Sequence, residues 1–244
     1  MTILLIAGTA EARRLSHQIA PQAKLISSLA GVTQSPAELG GTTRSGGFGG
    51  PDGLAAFITT HGVRLIIDAT HPFAVQMSRN ASIAAAKTGV DILQVLRPPW
   101  PNSPSWTRAP TLRAAAAALP AGARAFLATG RGSIADFQHR ADVTFILRVM
   151  DEAPGPCPFV RGQFLVSQPP FTVAEEVQTL RQHRIDWLVT RNSGGQGGIE
   201  KLRAAAQLGI NIIMTDRPEL PAAARVETVD QAMIWLTEHA WLGT

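Results

Sequence analysis

"TILLIAGTAEARRLSHQIA", residues 2–20, decides the fold. Its first half is a continuous apolar run, as expected of a strand buried on both faces of a sheet. Gly8 and Thr9 make a short turn. From Ala10 onward the spacing becomes helical: Ala12, Leu15 and Ile19 share one face, and Pro21 closes the segment. A buried strand, a tight turn and an amphipathic helix form the opening unit of a parallel α/β sheet.

The same alternation continues outward. Strands are predicted at 24–30 ("KLISSLA"), 63–70 ("VRLIIDAT") and 91–98 ("DILQVLRP"). Helices are predicted at 51–62, with Pro at the start and Gly at the end, and at 72–89. "TTRSGGFGG" (42–50) reads as a glycine-rich loop. "RPPWPNSPSW" (97–106) holds four prolines and reads as a stiff linker. After it the alternation restarts. Helices are predicted at 111–119, 131–139, 172–183, 198–209 and 228–241. Strands are predicted at 123–130, 142–150, 185–195 and 210–218. The expectation is an α/β chain of two Rossmann-like, doubly wound parallel-sheet domains, 1–98 and 105–244. The active site would lie in the interdomain cleft, and the last helix, 228–241, is a candidate to pack back on the first domain.

Composition narrows the function. The chain has 244 residues, 45% apolar and 16% charged, enough for two packed cores and too apolar for disorder. Its +4 net charge comes from an unusual mix, because only Lys24, Lys87 and Lys201 are lysines and the other basic residues are arginines. GC-rich codons would give this bias, and so would a need for guanidinium forks on carboxylates or phosphates. No basic run and few aromatics speak against a nucleic-acid groove. The lone Cys157 excludes an internal disulfide or a thiolate zinc cluster, and the scattered histidines suggest no metal site. No apolar stretch is long enough for a membrane span or signal peptide, so a cytoplasmic protein is expected.

Ligands of doubly wound sheets sit beyond the carboxyl ends of the strands. In the first domain those ends carry Gly8, Thr9 and Ala10 with Arg14, then Ser27 and Ser28, then Arg44 with Gly46 and Gly47, and finally "DATHPFA" (68–74) with Thr70 and His71. The Gly–Thr turn before a helix suits an anion but could be a plain turn; Arg13 and Arg14 near that helix start favour the anion. Ser27 and Ser28 stand where an NAD site would carry an acid, which favours NADP if a dinucleotide binds. His71 could be a general acid, a hydrogen-bond donor or a turn residue. In the second domain Thr129, Gly130 and Ser133 follow one strand. Asn192, Ser193 and Gly194 follow another, ahead of a helix carrying Lys201. Arg148 and Arg217 lie at two further strand ends. These are donors and cations for a polyanion. No nucleophile–base pair or paired carboxylates accompany them.

Together "ILLIAGTAEARRL", "TRSGGFGG", "IIDATHPFA", "LATGRGSI", "LRV", "VTRNSGGQGGIEKLRAAAQLGI" and "DRP" resemble the precorrin-6A reductase family of the corrin (vitamin B12) pathway, from Ile3 to about Pro218. The resemblance implies two Rossmann-like domains and NADPH-dependent reduction of the C18=C19 double bond of precorrin-6A, with hydride added at C19 and a proton at C18. Arg191 stands where family members commonly carry Lys, and Phe73 where Tyr is also expected. A macrocycle ringed by carboxylates explains many donors without a nucleophile, since in hydride transfer the cofactor carries the chemistry.

The expected arrangement puts NADPH on the first domain and the macrocycle's carboxylates on the second. Gly8, Thr9, Ala10 and Arg14 would face the phosphates, Ser27 and Ser28 the ribose phosphate, and Thr70 and His71 the nicotinamide. Arg44, Gly46 and Gly47 would lie nearby. Thr129, Gly130, Ser133, Arg148, Asn192, Ser193, Gly194, Lys201 and Arg217 would hold the substrate. His71 is the candidate proton donor; water is the other source. Neighbouring corrin-pathway enzymes are possible partners. A two-lobed transferase on a nucleotide-activated substrate, or a small-molecule sensor, is the alternative.

Overall fold

The computed structural model describes residues 1–31, 38–152 and 155–242. They form two compact units, 1–98 with 218–244, and 99–217. The chain therefore leaves the first unit at Pro98 and returns to it at Pro218.

In the first unit the order is β1 (Thr2–Ile6), α1 (Ala10–Ile19), β2 (Lys24–Leu29), β3 (Thr42–Ser45), α2 (Gly50–His61), β4 (Val63–Asp68), α3 (Val75–Thr88) and β5 (Asp91–Val95). The second unit contributes β6 (Trp106–Ala109), α4 (Leu112–Ala118), β7 (Arg124–Ala128), a 3-10 turn (Arg131–Ser133), α5 (Ile134–Phe137), β8 (Thr144–Val149), β9 (Gly162–Val166), α6 (Val173–Gln182), β10 (Trp187–Arg191), α7 (Glu200–Leu208) and β11 (Asn211–Thr215). The returning chain adds β12 (Ala224–Val226) and α8 (Val229–Glu238) to the first unit.

Each unit carries one six-stranded sheet, ordered β12-β5-β4-β1-β2-β3 and β6-β11-β10-β7-β8-β9. Every pairing is parallel. Strand order reverses between β1 and β4 in one sheet and between β7 and β10 in the other, so each has a topological switch point where a crevice opens.

The interior strands show why the residues fold this way. β1 is buried along its whole length. Its alternate residues serve opposite faces. Ile3 and Leu5 join Leu15, Ile19 and Leu236 under α1 and α8. Leu4 and Ile6 join Leu54, Ile58 and Ala84 under α2 and α3. The second sheet repeats the scheme: Leu127 and Phe145 pack with Ala115 and Phe137, while Phe126 and Ile146 pack with Leu180 and Leu202. Burying each Leu or Phe stabilises the fold by roughly 1.5–3 kcal/mol. Among the described residues four helices start on a threonine whose side chain accepts a backbone N–H, at Thr9, Thr111, Thr172 and Thr228.

Four strands differ from the sequence expectation. Thr42–Ser45, read as loop, is β3, and β6, β9 and β12 were not expected. All four lie at sheet edges. The residues 99–105 after the two prolines belong to the second unit. Gly40 and Gly41 have a packing reason. A Cβ on Gly40 would lie 2.4 Å from the Ser16 carbonyl oxygen, and one on Gly41, at φ +79°, 2.5 Å from that of Leu25.

Candidate functional site

At the first switch point, the ends of β1 and β4 are laced together. The Thr9 hydroxyl caps α1 through Ala12 N–H and donates to the Ala69 carbonyl at 2.9 Å. The Gly8 Cβ direction points at Thr70 Cα and His71 N, 3.8 and 3.7 Å away, so this turn fits closely against the 70–71 backbone. The Thr70 hydroxyl donates to Asp68 Oδ1 at 2.7 Å. His71 is half-buried, and its Nδ1 accepts the Phe73 N–H at 3.3 Å, which leaves the proton of a neutral ring on Nε2. Thr9, Glu11, Thr70, Pro72, Val95, Leu96 and Arg97 line a shallow surface groove. Glu11 pairs with Arg97 at 2.8 Å on its rim. Sequence reasoning missed this pair because its members lie 86 positions apart. Arg14 and Ala10 are exposed beside it.

At the end of β2 the two serines part company. Ser27 is fully buried and donates to the Gly40 carbonyl at 2.8 Å, so the expectation that it meets a ribose phosphate is corrected: it fastens the 40–41 turn. Ser28 accepts Arg44 Nη1 at 2.7 Å. The Arg44 guanidinium also donates to the Gly47 carbonyl at 3.0 Å and lies 4.0 Å over the Phe48 ring. Burial pushes its pKa down from the usual arginine value. Gly46 and Gly47 have open space where a Cβ would stand.

In the second unit several expected ligands are committed to the protein. Arg148 gives both terminal nitrogens to Glu176, at 2.6 and 2.9 Å, and lies over Phe126 and Phe171 at 4.8 and 4.1 Å. Both terminal nitrogens are thus engaged within the protein, while its buried Nε has no hydrogen-bond partner among the described residues. Ser133 is fully buried, hydrogen-bonded to the Gly130 carbonyl and the Thr129 hydroxyl, both at 2.7 Å, and is likewise engaged within the protein. Thr129 is 3% exposed and shares that bond, while Gly130 is exposed with φ +73° and open space around it.

The turn after β10 organises the other candidates. Asn192 is buried, and its amide clasps Trp100: its Oδ1 accepts the backbone N–H at 2.8 Å and its Nδ2 donates to the carbonyl at 3.2 Å. This corrects its placement on a ligand. The Trp100 indole N–H donates to the Gly195 carbonyl at 2.7 Å. Arg217 donates to the carbonyls of Asn192 and Ser193 at 2.8 and 2.9 Å. Lys201 donates to the Gly198 carbonyl at 2.7 Å and lies 5.1 Å from the Trp100 ring centre. Both chain passages between the units, at Trp100 and Arg217, thus grip one glycine turn. Ser193 is half-buried and Gly194 buried at φ +63°. Burial lowers the pKa of Arg191, and Asp136 opposes that shift.

Among the described residues no group of His, Cys, Asp and Glu could hold a metal, and no helix is long and apolar enough to cross a membrane. The strand ends carry a capped helix start after Gly8 and the Ser28–Arg44 pair on one sheet, and a glycine- and hydroxyl-rich turn pair on the other.

A model of the family described as precorrin-6x reductase CbiJ/CobK matches residues 2–237. The chain belongs to this family. It is 42% identical over 241 residues to the precorrin-6A reductase of Rhodobacter capsulatus, covering 97% of this chain and 96% of that one. It is 39% identical to the precorrin-6A reductase of Mycobacterium tuberculosis, covering 96% of each chain. A solved structure titled CobK precorrin-6A reductase superposes with a TM-score of 0.93 at 41% identity, covering 98% of this chain and 97% of that one. The two parallel sheets are thus the fold of a CbiJ/CobK-family oxidoreductase of cobalamin biosynthesis.

A reductase of this family needs a reductant, and a nicotinamide dinucleotide fits the first unit. Gly8 leaves the backbone bare at the start of a helix. No acidic residue lies in 27–31 at the end of β2, where Ser28 and Arg44 stand instead. The departures of this family member are local: the Arg191 side chain is half-buried, and Phe73 packs its ring 5.8 Å from that of His71.

Proposed function

We propose that this chain is a precorrin-6A reductase that saturates the C18=C19 double bond of the macrocycle with NADPH, hydride entering at C19 and a proton at C18. The observation that carries the reading is its family membership over residues 2–237, supported by 42% identity to a precorrin-6A reductase along nearly the whole of both chains. Bound NADPH would supply the hydride. The residues of this chain bind, orient and neutralise. Gly8, Ala10 and the capped start of α1 offer backbone N–H groups to the diphosphate, with the N-cap Thr9 as their anchor and Arg14 as a cation. Arg44 and Ser28, with Gly46 and Gly47 open beside them, take the 2′-phosphate. The Arg44 fork is pre-aimed by Phe48, so little freedom is lost on binding. Thr70 and His71 border the nicotinamide end; His71 in its imidazolium form, which becomes neutral on giving up a proton, or water is the source of the proton for C18. In the second unit Thr129, Gly130, Ser193 and Gly194 present turns toward macrocycle carboxylates, and Lys201 and Arg217 add positive charge behind them.

The test is turnover of precorrin-6A with NADPH and with NADH, followed by loss of reduced-nicotinamide absorbance and by a product heavier by two hydrogens. The expected result is a preference for NADPH that Arg44→Ala narrows by roughly tenfold or more, through loss of a charge-assisted bidentate contact. Turnover with NADH alone overturns the phosphate pocket. No turnover with either, on intact substrate, overturns the reductase.

A further inference from the structure

Asp68 is a buried carboxylate, 4% exposed, for which the proposed scheme has no use. It ends β4, with Ile6 of β1 and Gln94 of β5 as its lateral neighbours, so it lies at the floor of the first switch point. Strand alternation turns its side chain to the face covered by α3, where Ser78 approaches the Thr70 hydroxyl at 3.5 Å. Its hydrogen-bond partners are the Thr70 N–H at 3.2 Å and the Thr70 O–H at 2.7 Å, both neutral donors. Among the described residues it enters no ion pair.

The turn explains the hydrogen bonds but not the charge. Thr70 needs only an acceptor oxygen, and an asparagine amide would supply one without placing a charge in a low-dielectric floor. An uncompensated buried charge costs several kcal/mol in the absence of a cation. The fold also says where a cation would come from. With the diphosphate at the start of α1 and the adenosine toward β2, the other half of a dinucleotide runs across the switch point toward β4 and β5. Loss of hydride, two electrons and one proton, to the macrocycle carbon leaves one positive charge on the nicotinamide ring.

We propose that the Asp68 carboxylate stabilises the positive charge that develops on the nicotinamide ring as hydride leaves it, and so biases this site toward oxidised NADP+ over NADPH. The inference rests on the assignment of NADPH to the first unit. Asp68 acts through space and through Thr70 and is a positioning residue; the effect is one of fixed charge in a poorly screened site.

The test is equilibrium binding by titration calorimetry of NADP+, NADPH and adenosine 2′,5′-bisphosphate to the whole chain and to Asp68→Asn. The bisphosphate lacks the nicotinamide and reports on the remaining contacts. The expected result is that Asp68→Asn weakens NADP+ relative to NADPH by roughly tenfold while the bisphosphate binds as before. An unchanged NADP+ to NADPH ratio overturns the proposal, and so does an equal loss for all three ligands, which would mark a purely structural role. If Asp68→Asn does not fold, Asp68→Ser takes its place in the same titrations, and an unchanged NADP+ to NADPH ratio there overturns the proposal. Binding of none of the three to the wild type overturns the cofactor assignment itself, and this inference with it.

Discussion

Glu176 occupies the two terminal nitrogens of Arg148, and the pair is nearly closed to water, with side chains 12% and 2% exposed. A strand-end arginine looked like a ligand for substrate carboxylates, and its true partner lies 28 residues away on α6. Neither burial nor pairing of that range leaves a mark in local sequence. Ser27 and Asn192 mislead for the same reason: a hydroxyl or amide at a strand end reads alike whether it faces a ligand or stitches a turn. What was legible at Gly8 and Gly130 is the tight turn after a strand, because a glycine between a strand and a helix marks a turn in the sequence itself. For the ion pair the expected outcome is specific. Glu176→Gln leaves a buried guanidinium without its counter-charge and costs about 3–5 kcal/mol of stability, read from urea unfolding. The double variant Arg148→Met with Glu176→Leu recovers most of that loss, because an apolar pair of similar volume avoids the desolvation cost. A single variant as stable as the parent would show that the pair contributes nothing.

At the scale of elements, the interior strands were legible and the edges were not. β1, β4, β7 and β10 are buried on both faces and read as continuous apolar runs. β3, "TTRS", is mostly exposed, and β12 spans only three residues, so neither carries an apolar signal. Pairing with a neighbour makes them strands, and pairing is not a local property. One helix end makes a pH prediction. Arg140 donates to the carbonyls of Ala116 and Leu119 at the end of α4 and is held by Asp142. The Arg140 hydrogen bond lowers the Asp142 carboxyl from 3.8 to about 2. A carboxyl depressed in the folded state contributes stability that is complete above its unfolded value and is lost as the pH falls through its folded value. The urea midpoint should therefore fall between about pH 4 and pH 2, and Asp142→Asn should lower the midpoint at neutral pH and flatten that part of the profile. An identical profile in both proteins refutes the assignment. Because Asp142 is solvent-exposed, the effect is small.

On the scale of the whole molecule, the first sheet is built from both ends of the chain. β12 pairs with β5 through Ala224, Arg225 and Val226. Arg225 donates to the Gln94 side-chain oxygen at 3.1 and 2.8 Å. Val229, Ala232 and Leu236 of α8 fill the face of the core beside Leu15 and Ile19. A chain ending at Arg217 is expected to keep the second unit and lose the first: amides of β5 and α1 should exchange hydrogen far faster, while those of β7, β8 and β10 stay protected. Protection of β5 and α1 equal to that of the full chain would show that 218–242 is dispensable.

This shared construction bears on how the protein is made. As a nascent chain leaves the ribosome, residues 99–217 emerge complete and can close their sheet before 218–242 are made. Residues 1–98 must wait longer, their β5 edge and α1 face still uncovered until β12 and α8 are made. The nucleotide-binding surface proposed for residues 1–98 would therefore mature only once 218–242 have been synthesised and have docked on it.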